Sequence, residues 1–301
     1  MQPVILIPGK KFSFMTSTTT MEEIHHEQEW SKIIKPTESL FRFNFRELWQ
    51  YRDLIVLFVK RDFVSVYKQT VLGPLWHIIQ PLFTTVVFVI LGSFAKIPTD
   101  DVPRILFYLT GIVLWNYFAS CLTKTSGTFI GSAQIFGKVY FPRLTVPISV
   151  IVSNLISFFL QFMLIIPFLV FYRNTIHPNL YMLAIPVIIV VIAMMGLGFG
   201  LVVSSLTIKY RDLVFLIAFG VQLGMYVTPI IYPLSMVPIK YQMLMSFNPI
   251  SSIIELFRYA LLGKGTFTLL SIIYSCVFSI IILVIGILFF NQAERNFVDT
   301  V

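Results

Sequence analysis

No Asp, Glu, Lys or Arg occurs in residues 174–208, whose sequence is NTIHPNLYMLAIPVIIVVIAMMGLGFGLVVSSLTI. A helix needs about 20 mainly apolar residues to cross a hydrocarbon core roughly 30 Å thick, so this stretch is long enough to span a membrane. Five further uncharged stretches share this character: residues 69–95, 105–123, 144–172, 213–239 and 265–293. They are much longer than barrel strands and lack alternation, and therefore predict an all-α polytopic membrane protein with six transmembrane helices.

The composition supports a membrane protein and excludes a soluble one. The chain is 57% hydrophobic and 12% charged, whereas a soluble domain has about 25% charged residues. The net charge of +8 could indicate nucleic-acid binding, but ten of the 22 Lys and Arg residues precede the first predicted span. This distribution is typical of the positive-inside rule. Cys121 and Cys276 both fall in predicted spans, where small buried side chains are the simpler interpretation.

The charges also predict an orientation. With the N-terminus in the cytoplasm, 16 Lys and Arg residues lie inside and six outside, which favours two cytoplasmic termini in a multi-pass plasma or bacterial inner-membrane protein. The residues before the first span supply this excess, because the remaining loops divide six against six. The predicted organisation is a cytoplasmic tail at 1–40, an amphipathic interface helix at 41–70, a six-span domain at 71–293 and a cytoplasmic C-terminus at 294–301.

The predicted interface helix carries both charged and bulky apolar residues. At 100° per residue, Asp53, Lys60, Arg61 and Lys68 share one face, and apolar side chains cover much of the rest. Such a helix can lie at the membrane surface, where its basic face would meet lipid phosphates or an acidic partner. A simple anchoring helix without a partner is an equal alternative.

Two connections are more apolar than ordinary loops. On the inside, residues 125–143 contain Pro142, which ends a helix and leaves a short rigid element that a partner could contact. On the outside, the helix after Pro249 has only about 14 residues, which predicts a short re-entrant or interfacial helix before the last span. Asn248 and Pro249 fit its cap and first turn.

Glu255 and Arg258, three residues apart on this outer helix, can form an ion pair. Two interpretations stay open: a modest exposed salt bridge, or part of a gate at the exit of a transport pathway.

The sequence lacks the groups that an intramembrane enzyme needs. The predicted spans contain no Asp, Glu, Lys or Arg, and no GxxxxGK[ST] phosphate loop occurs. We therefore predict no catalytic or metal site, and energy for transport would come from another subunit. The glycines Gly196, Gly198 and Gly200 indicate close helix packing. Polar residues within the predicted spans could line a passage or form hydrogen bonds between neighbouring helices. These residues are Asn116, Asn154, Gln161 and Gln222.

Several ordered motifs resemble one family. They are YRDLI at 51–55, KRD at 60–62, YKQTVLGPLW at 67–76, KVYFPR at 138–143, KYRD at 209–212, TPIIYP at 228–233 and ELFRYALLG at 255–263. Together they resemble the membrane subunit of ABC-2 type polysaccharide exporters over roughly residues 40–290. The resemblance implies a six-span permease that works as a homodimer with two ATP-binding subunits, which bind ATP and Mg. The exported substrate would be lipid-linked O-antigen, capsule or teichoic acid, with O-antigen favoured.

The resemblance also implies roles for particular residues. It places an inner-loop motif at Tyr210, Arg211 and Asp212, and an external gate at Asn248, Pro249, Glu255 and Arg258. The contacts to the ATP-binding subunit would include Arg52, Asp53, Lys60, Arg61, Asp62, Lys68, Lys138, Phe141, Pro142 and Arg143.

Trp115, Tyr117 and Phe118 have two possible roles. From the residues alone they fit an aromatic belt at the membrane surface, although aromatic faces also stack on sugar rings. The resemblance favours a glycan channel.

Two other functions of the whole chain stay open. They are a drug or small-lipid exporter of the same superfamily and, more remotely, a membrane scaffold that transports nothing. The match at 68–76, KQTVLGPLW, favours the polysaccharide branch.

Overall fold

The computed structural model describes residues 45–67, 72–136 and 141–298. The predicted tail at 1–40, the start of the interface helix, Lys68 and Lys138 lie outside the described residues. Every regular element within these ranges is an α-helix or a short 3₁₀ turn, and none of the described residues forms a strand. The prediction of an all-α protein is therefore confirmed.

The described α-helices follow the uncharged runs and the connections between them. Their bounds are α1 Phe45–Gln50, α2 Arg52–Tyr67, α3 Trp76–Phe94, α4 Arg104–Ser126, α5 Thr128–Phe136, α6 Thr145–Phe171, α7 Ile185–Thr207, α8 Leu213–Val227, α9 Ile239–Ser246, α10 Pro249–Leu262 and α11 Leu269–Val298.

Five of these helical segments are long and apolar enough to cross a membrane: α3, α4, α6, α7 with the 3₁₀ turn before it, and α11. The fifth predicted span is different. Its helix, α8, has 15 residues and is about 22 Å long, which is shorter than a hydrocarbon core of roughly 30 Å. The structure thus confirms a helical protein with several candidate membrane spans, whereas the count of six stays a prediction.

Helix α4 forms the centre of the structure. It packs against α3, α6 and α7, and its side chains are buried on all sides from Leu106 to Phe118, with Asn116 as an exception. A helix that is apolar all round is expected in such a central position. Helices α3, α6 and α11 instead expose many large apolar side chains, including Phe83, Phe94 and Phe171. Such side chains suit contact with lipid.

The glycines of α7 allow close approach to two helices, as predicted. A Cβ atom on Gly196 would lie 2.7 Å from Cβ of Cys121, and one on Gly200 would lie 2.5 Å from Cβ of Thr125, both on α4. Gly198 points to the other side, where a Cβ would lie 2.7 Å from the carbonyl carbon of Ile282 on α11. Small residues let helix backbones pack closely where no water drives association. The prediction of helix packing is confirmed.

Candidate functional site

Helix α2 presents basic side chains above a buried apolar side. Arg52, Lys60 and Arg61 are exposed, whereas Phe58 is buried. The Arg61 guanidinium lies 4.8 Å from the centre of the Phe58 ring, and its Nη2 lies 2.8 Å from Oδ1 of Asp62. This arrangement fixes one cation over an aromatic face.

The other charge pair of α2 is weak. Arg52 Nε lies 3.8 Å from Oδ1 of Asp53, and both side chains are largely exposed. Exposed pairs of this kind contribute little to stability, which leaves both side chains available to a partner. The location of α2 at a membrane surface and its contact with an ATP-binding subunit stay predictions.

Five phenylalanines form a cluster that connects α2 with other elements, and we call it the inner aromatic cluster. Ring centres are 5.8 Å apart for Phe58 and Phe141, 5.8 Å for Phe136 and Phe141, and 4.5 Å for Phe129 and Phe290. All five side chains are buried. The cluster joins α2, α5, the segment before α6 and α11. The two elements predicted to contact a partner are therefore in direct contact with each other.

Arg143 is directed into the protein. Its Nη1 donates a hydrogen bond to the carbonyl oxygen of Glu294 at 3.1 Å, and its Nε lies 3.7 Å from the carboxylate Oε1 of Glu294. The guanidinium also lies 5.5 Å from the centre of the Phe136 ring, and Pro142 is half-buried. Arg143 belongs to the connection at 125–143, which we call the inner loop, and it thus links this loop to the end of α11. A contact with a partner subunit stays a prediction for both residues.

The inner-loop motif is a different segment from the inner loop, because it lies between α7 and α8. It is exposed. Tyr210, Arg211 and Asp212 all present their side chains to the surface, and Nζ of Lys209 lies 5.3 Å from the centre of the Tyr210 ring. These side chains are accessible to another molecule, and their role also stays a prediction.

A group of polar side chains between α3, α4 and α6 is a feature that the sequence did not indicate as a unit. Lys124, in the last turn of α4, donates from Nζ to Oδ1 of Asn154 on α6 at 2.8 Å. One turn further along α6, Oγ of Ser157 lies 3.3 Å from Nε2 of His77 on α3. We call these four residues the inner polar cluster. The signal that could have found it is the spacing of Asn154, Ser157 and Gln161, which places all three on one face of α6.

A second polar contact lies further along the same two helices. Nδ2 of Asn116 on α4 donates to Oε1 of Gln161 on α6 at 3.3 Å. These two residues therefore bond neighbouring helices, which was one of the two interpretations of the polar residues at depth. Gln222 on α8 is exposed.

The predicted glycan-channel residues are packed inside the single chain. Trp115, Tyr117 and Phe118 are each less than 5% exposed. Trp115 contacts Phe118 with ring centres 5.4 Å apart, and Tyr117 lies 5.3 Å from Phe158 on α6. These rings could face a passage only if α4 moved away from neighbouring helices. Their contact with a glycan stays a prediction.

Asn248 begins α10 as the sequence predicts. Its Oδ1 accepts from the backbone N–H of Ile250 at 3.1 Å, its Nδ2 donates to Oγ1 of Thr228 at 3.0 Å, and Pro249 occupies the first helical position. Helix α10 ends at Leu262 and is capped by Gly263, whose φ of +73° is the left-handed conformation that glycine adopts easily. The predicted cap and short helix are confirmed, whereas the re-entrant position stays a prediction.

Glu255 and Arg258 form a buried pair, which we call the outer ion pair. Nη1 of Arg258 lies 3.1 Å from Oε1 of Glu255, and only 2% and 4% of the two side-chain surfaces are exposed. The interpretation as an exposed salt bridge was wrong, because α10 packs against α4, α7 and α11 and these helices exclude solvent from the pair. Burial lowers the pKa of Arg258, and the Glu255 carboxylate opposes that effect.

Backbone groups from several segments complete the outer ion pair. Arg258 donates to the carbonyl oxygens of Pro229 at 2.7 Å, Ile230 at 2.9 Å and Phe107 at 3.3 Å. The other oxygen of Glu255 accepts from the N–H of Thr266 at 3.0 Å. The pair therefore connects α10 with α4, with the segment after α8 and with the loop before α11.

Comparison with known proteins agrees with this architecture. Residues 53–262 match the family described as ABC-2 type transporter. A relative from Klebsiella pneumoniae, named O-antigen export system permease protein RfbA, is 31% identical over 250 residues, which cover 82% of this chain and 94% of that protein. A protein of the same name from Myxococcus xanthus is 26% identical over 216 residues, or 71% of this chain and 82% of that relative.

The fold and the sites define a multi-pass helical membrane protein. This chain belongs to the ABC-2 type transporter family. It is a transport subunit, and the family implies an ATP-binding cassette partner.

Proposed function

We propose that this chain is the membrane permease of an exporter of lipid-linked O-antigen. The observation that carries the proposal is the 31% identity to an O-antigen export permease across 94% of that protein's length. The match covers nearly the whole relative, so it is not restricted to one widespread motif. Capsule, teichoic acid, drugs and small lipids are the alternative substrates.

The proposed assembly contains two copies of this chain and two ATP-binding subunits, which bind ATP and Mg²⁺. The chain lies in the inner membrane and crosses it six times, with α8 and the residues around it forming the fifth crossing. An even number of crossings places both termini on the same side, and the excess of Lys and Arg before α3 favours the cytoplasm as that side. Helix α10 then lies on the outer side as a re-entrant or interfacial helix.

The inner aromatic cluster supports a route for mechanical coupling. Closure of the ATP-binding subunits would push α2 and the inner loop, which are the elements that Phe58 and Phe141 join at 5.8 Å. The contact of Phe129 with Phe290 would carry the movement to α11. At the opposite end, the outer ion pair would separate or shift to open the exit. Trp115, Tyr117 and Phe118 would line the passage once α4 moved.

The basic face of α2 would attract the diphosphate that joins the glycan to its polyprenyl lipid. Arg52, Lys60 and Arg61 are exposed on this helix. Guanidinium and ammonium groups form strong charge-assisted hydrogen bonds with phosphate oxygens. The same residues would contact the ATP-binding subunit, together with the inner-loop motif at Tyr210.

The experiment that tests the proposal is charge reversal at Arg61 and, as a control, at Lys240. Both side chains are exposed, but the proposed topology places them on opposite sides of the membrane. We expect Arg61→Glu to lower O-antigen display in cells that depend on this permease, and to weaken binding of the ATP-binding subunit. Lys240→Glu should leave subunit binding unchanged. Normal export and normal ATPase coupling in the Arg61→Glu transporter would contradict the proposed role of Arg61 and the basic face of α2.

The substrate class needs a separate test. We expect the reconstituted transporter to hydrolyse ATP faster with lipid-linked O-antigen than with drugs, short lipids or lipid-linked teichoic acid. A gene for an ATP-binding subunit beside this one, among glycosyltransferase genes, would further favour glycan export over a scaffold. Stimulation by small lipids alone would instead identify a small-substrate exporter.

A further inference from the structure

A cavity of about 640 Å³ opens to the surface at the ends of three helices. Helix α3 ends at Phe94, α4 begins at Arg104 and α6 ends at Phe171, and all three helices are long and apolar enough to cross a membrane. Spanning helices end where the hydrocarbon meets the lipid headgroups. The volume also falls within the range of about 300–1,000 Å³ that is usual for small-molecule sites. The cavity therefore lies at the level of a lipid headgroup and is large enough to hold one.

The lining of this cavity contains one cation and one anion, Arg104 and Asp101. Arg104 is half-buried, and its Nη1 donates to Oγ of Ser93 on α3. A guanidinium has five N–H groups, so donors remain for a phosphate. Oδ2 of Asp101 lies 3.9 Å from Nζ of Lys264, and 95% of the Asp101 side chain is exposed. So weak a pair leaves the carboxylate accessible to the cation of a ligand.

The turn between α3 and α4 holds Asp101 in an uncommon conformation. Asp100 and Asp101 have φ values of 48° and 61°, in the left-handed region that residues other than glycine seldom adopt. Oγ of Ser235 donates to Oδ1 of Asp100 at 2.7 Å and so holds the turn in place. Strained residues of this kind occur often at ligand-binding sites. The turn thus places a carboxylate at the edge of the cavity, three residues before Arg104.

The surroundings of the cavity favour an amphiphilic ligand over a soluble one. Apolar and hydroxyl-bearing side chains complete the lining, and they are Val89, Ile105, Thr99, Tyr172 and Thr175. Phe94 and Phe171, at the adjoining ends of α3 and α6, are 82% and 78% exposed. Exposed aromatic residues at the ends of spanning helices are typical of the headgroup level. A lipid can place its headgroup in the cavity and its chains along these apolar surfaces.

We propose that this cavity binds the phosphoethanolamine headgroup of a phospholipid, with Arg104 on the phosphate and Asp101 on the ammonium. A primary ammonium has three N–H groups that can donate to the carboxylate, whereas the quaternary ammonium of choline has none. In the proposed topology the site lies on the outer side of the membrane. It does not depend on which substrate the chain exports.

The test measures binding of a phosphatidylethanolamine with a fluorescent acyl chain to the full-length chain in detergent micelles that contain no other phospholipid. Arg104→Gln should weaken binding about tenfold, because a hydrogen bond to a charged group is lost. Arg104→Lys keeps the charge and should bind more tightly than Arg104→Gln. Arg173→Gln is the matched control, because Arg173 is an exposed arginine beside Tyr172 that lies outside the lining. Thermal unfolding would show that the compared variants are equally folded.

A second set of measurements tests the headgroup and the source of the phosphate. The wild-type chain should prefer phosphatidylethanolamine to phosphatidylcholine only a few-fold, because an ion pair with an exposed carboxylate contributes little. Asp101→Asn should bind the two lipids equally. Free phosphoethanolamine should bind much more weakly than the lipid, and equal affinity for both would contradict a lipid site.

Three results would overturn the proposal: wild-type binding by Arg104→Gln, equal weakening by Arg173→Gln, or an unchanged lipid preference in Asp101→Asn. Because export is not measured, a negative result would leave the O-antigen proposal standing.

Discussion

Arg258 and Glu255 are one helical turn apart on α10 and form an ion pair of 3.1 Å that is almost completely buried. Three backbone carbonyls also accept hydrogen bonds from the same guanidinium. Ions are costly to bury, but the bonds from both terminal nitrogens of Arg258 offset much of that cost, although its Nε has no partner among the described residues. The pair therefore defines the relative position of α4, α10 and the segment after α8.

Replacement of Arg258 by Met should destabilise the protein strongly. The variant leaves the Glu255 carboxylate buried without its cation and leaves the carbonyls of Pro229 and Ile230 without a donor. Removal of one partner from a buried pair costs about 3–5 kcal/mol. The expected result is a much lower midpoint of thermal unfolding in detergent. Glu255→Gln should cost less, because its amide oxygen can still accept from Arg258, and only the bond from the N–H of Thr266 is lost.

The matched control for this prediction is the exposed pair of Lys264 and Asp101. Its Nζ to Oδ2 distance is 3.9 Å, and more than half of each side chain is exposed. Lys264→Gln should shift stability by less than about 1 kcal/mol. Similar unfolding midpoints for Arg258→Met and Lys264→Gln would show that the outer ion pair does not hold the helices together.

Gly198 should not tolerate even one added methyl group. In Gly198→Ala the Cβ would lie 2.7 Å from the backbone of Ile282, and backbone cannot move aside as a flexible side chain can. Overpacking of this kind typically costs about 1–3 kcal/mol. Gly220 on α8 is the control, because no described atom would lie within 4 Å of its added Cβ. Thermal unfolding should show a loss for Gly198→Ala and none for Gly220→Ala.

The sequence predicted features that depend on local pattern. The length of the uncharged stretches predicted the membrane helices, and the glycine run predicted close packing. Asn248 with Pro249 predicted the start of α10. Each of these follows from neighbours along the chain or from the solvent in which a helix lies. Local patterns do not show which other helix packs on a face. For this reason the burial of Glu255 and Arg258 could not be predicted.

The inner aromatic cluster and the inner polar cluster show the same limit. Phe58, Phe141 and Phe290 are distant in sequence and meet only after α2, α6 and α11 have packed. The charge of Lys124 ends the uncharged stretch at 105–123, yet Lys124 lies in the last turn of α4 and bonds to α6. Charge alone marks the boundary of a span and does not show the partner that a charged group finds there.

The number of membrane crossings can be tested by labelling single cysteines. In a background where Cys121 and Cys276 are replaced by Ala, Lys209→Cys and Lys240→Cys place exposed thiols before and after α8. Six crossings put these two positions on opposite sides. An impermeant maleimide added to intact cells should therefore label position 240 and leave position 209 unlabelled. Labelling of both or neither position would show that α8 does not cross.

Phe141 should couple the inner loop to α2. Its ring lies 5.8 Å from the rings of both Phe58 and Phe136, so Phe141→Ala removes two aromatic contacts and leaves a cavity. Loss of a buried phenylalanine costs about 3–5 kcal/mol, although neighbouring side chains can relax. If the cluster transmits movement, the assembled transporter should continue to hydrolyse ATP while export falls.

Two further variants separate coupling from simple loss of stability. Phe141→Leu keeps most of the apolar volume and should restore folding while it restores only part of the export. Leu57→Ala shortens an apolar side chain on α2 that is 60% exposed and lies outside the cluster, so it should leave the ratio of export to ATP hydrolysis unchanged. The ratio should be measured in reconstituted transporter at equal amounts of folded protein. A normal ratio in Phe141→Ala would mean that the inner aromatic cluster stabilises the fold without transmitting movement.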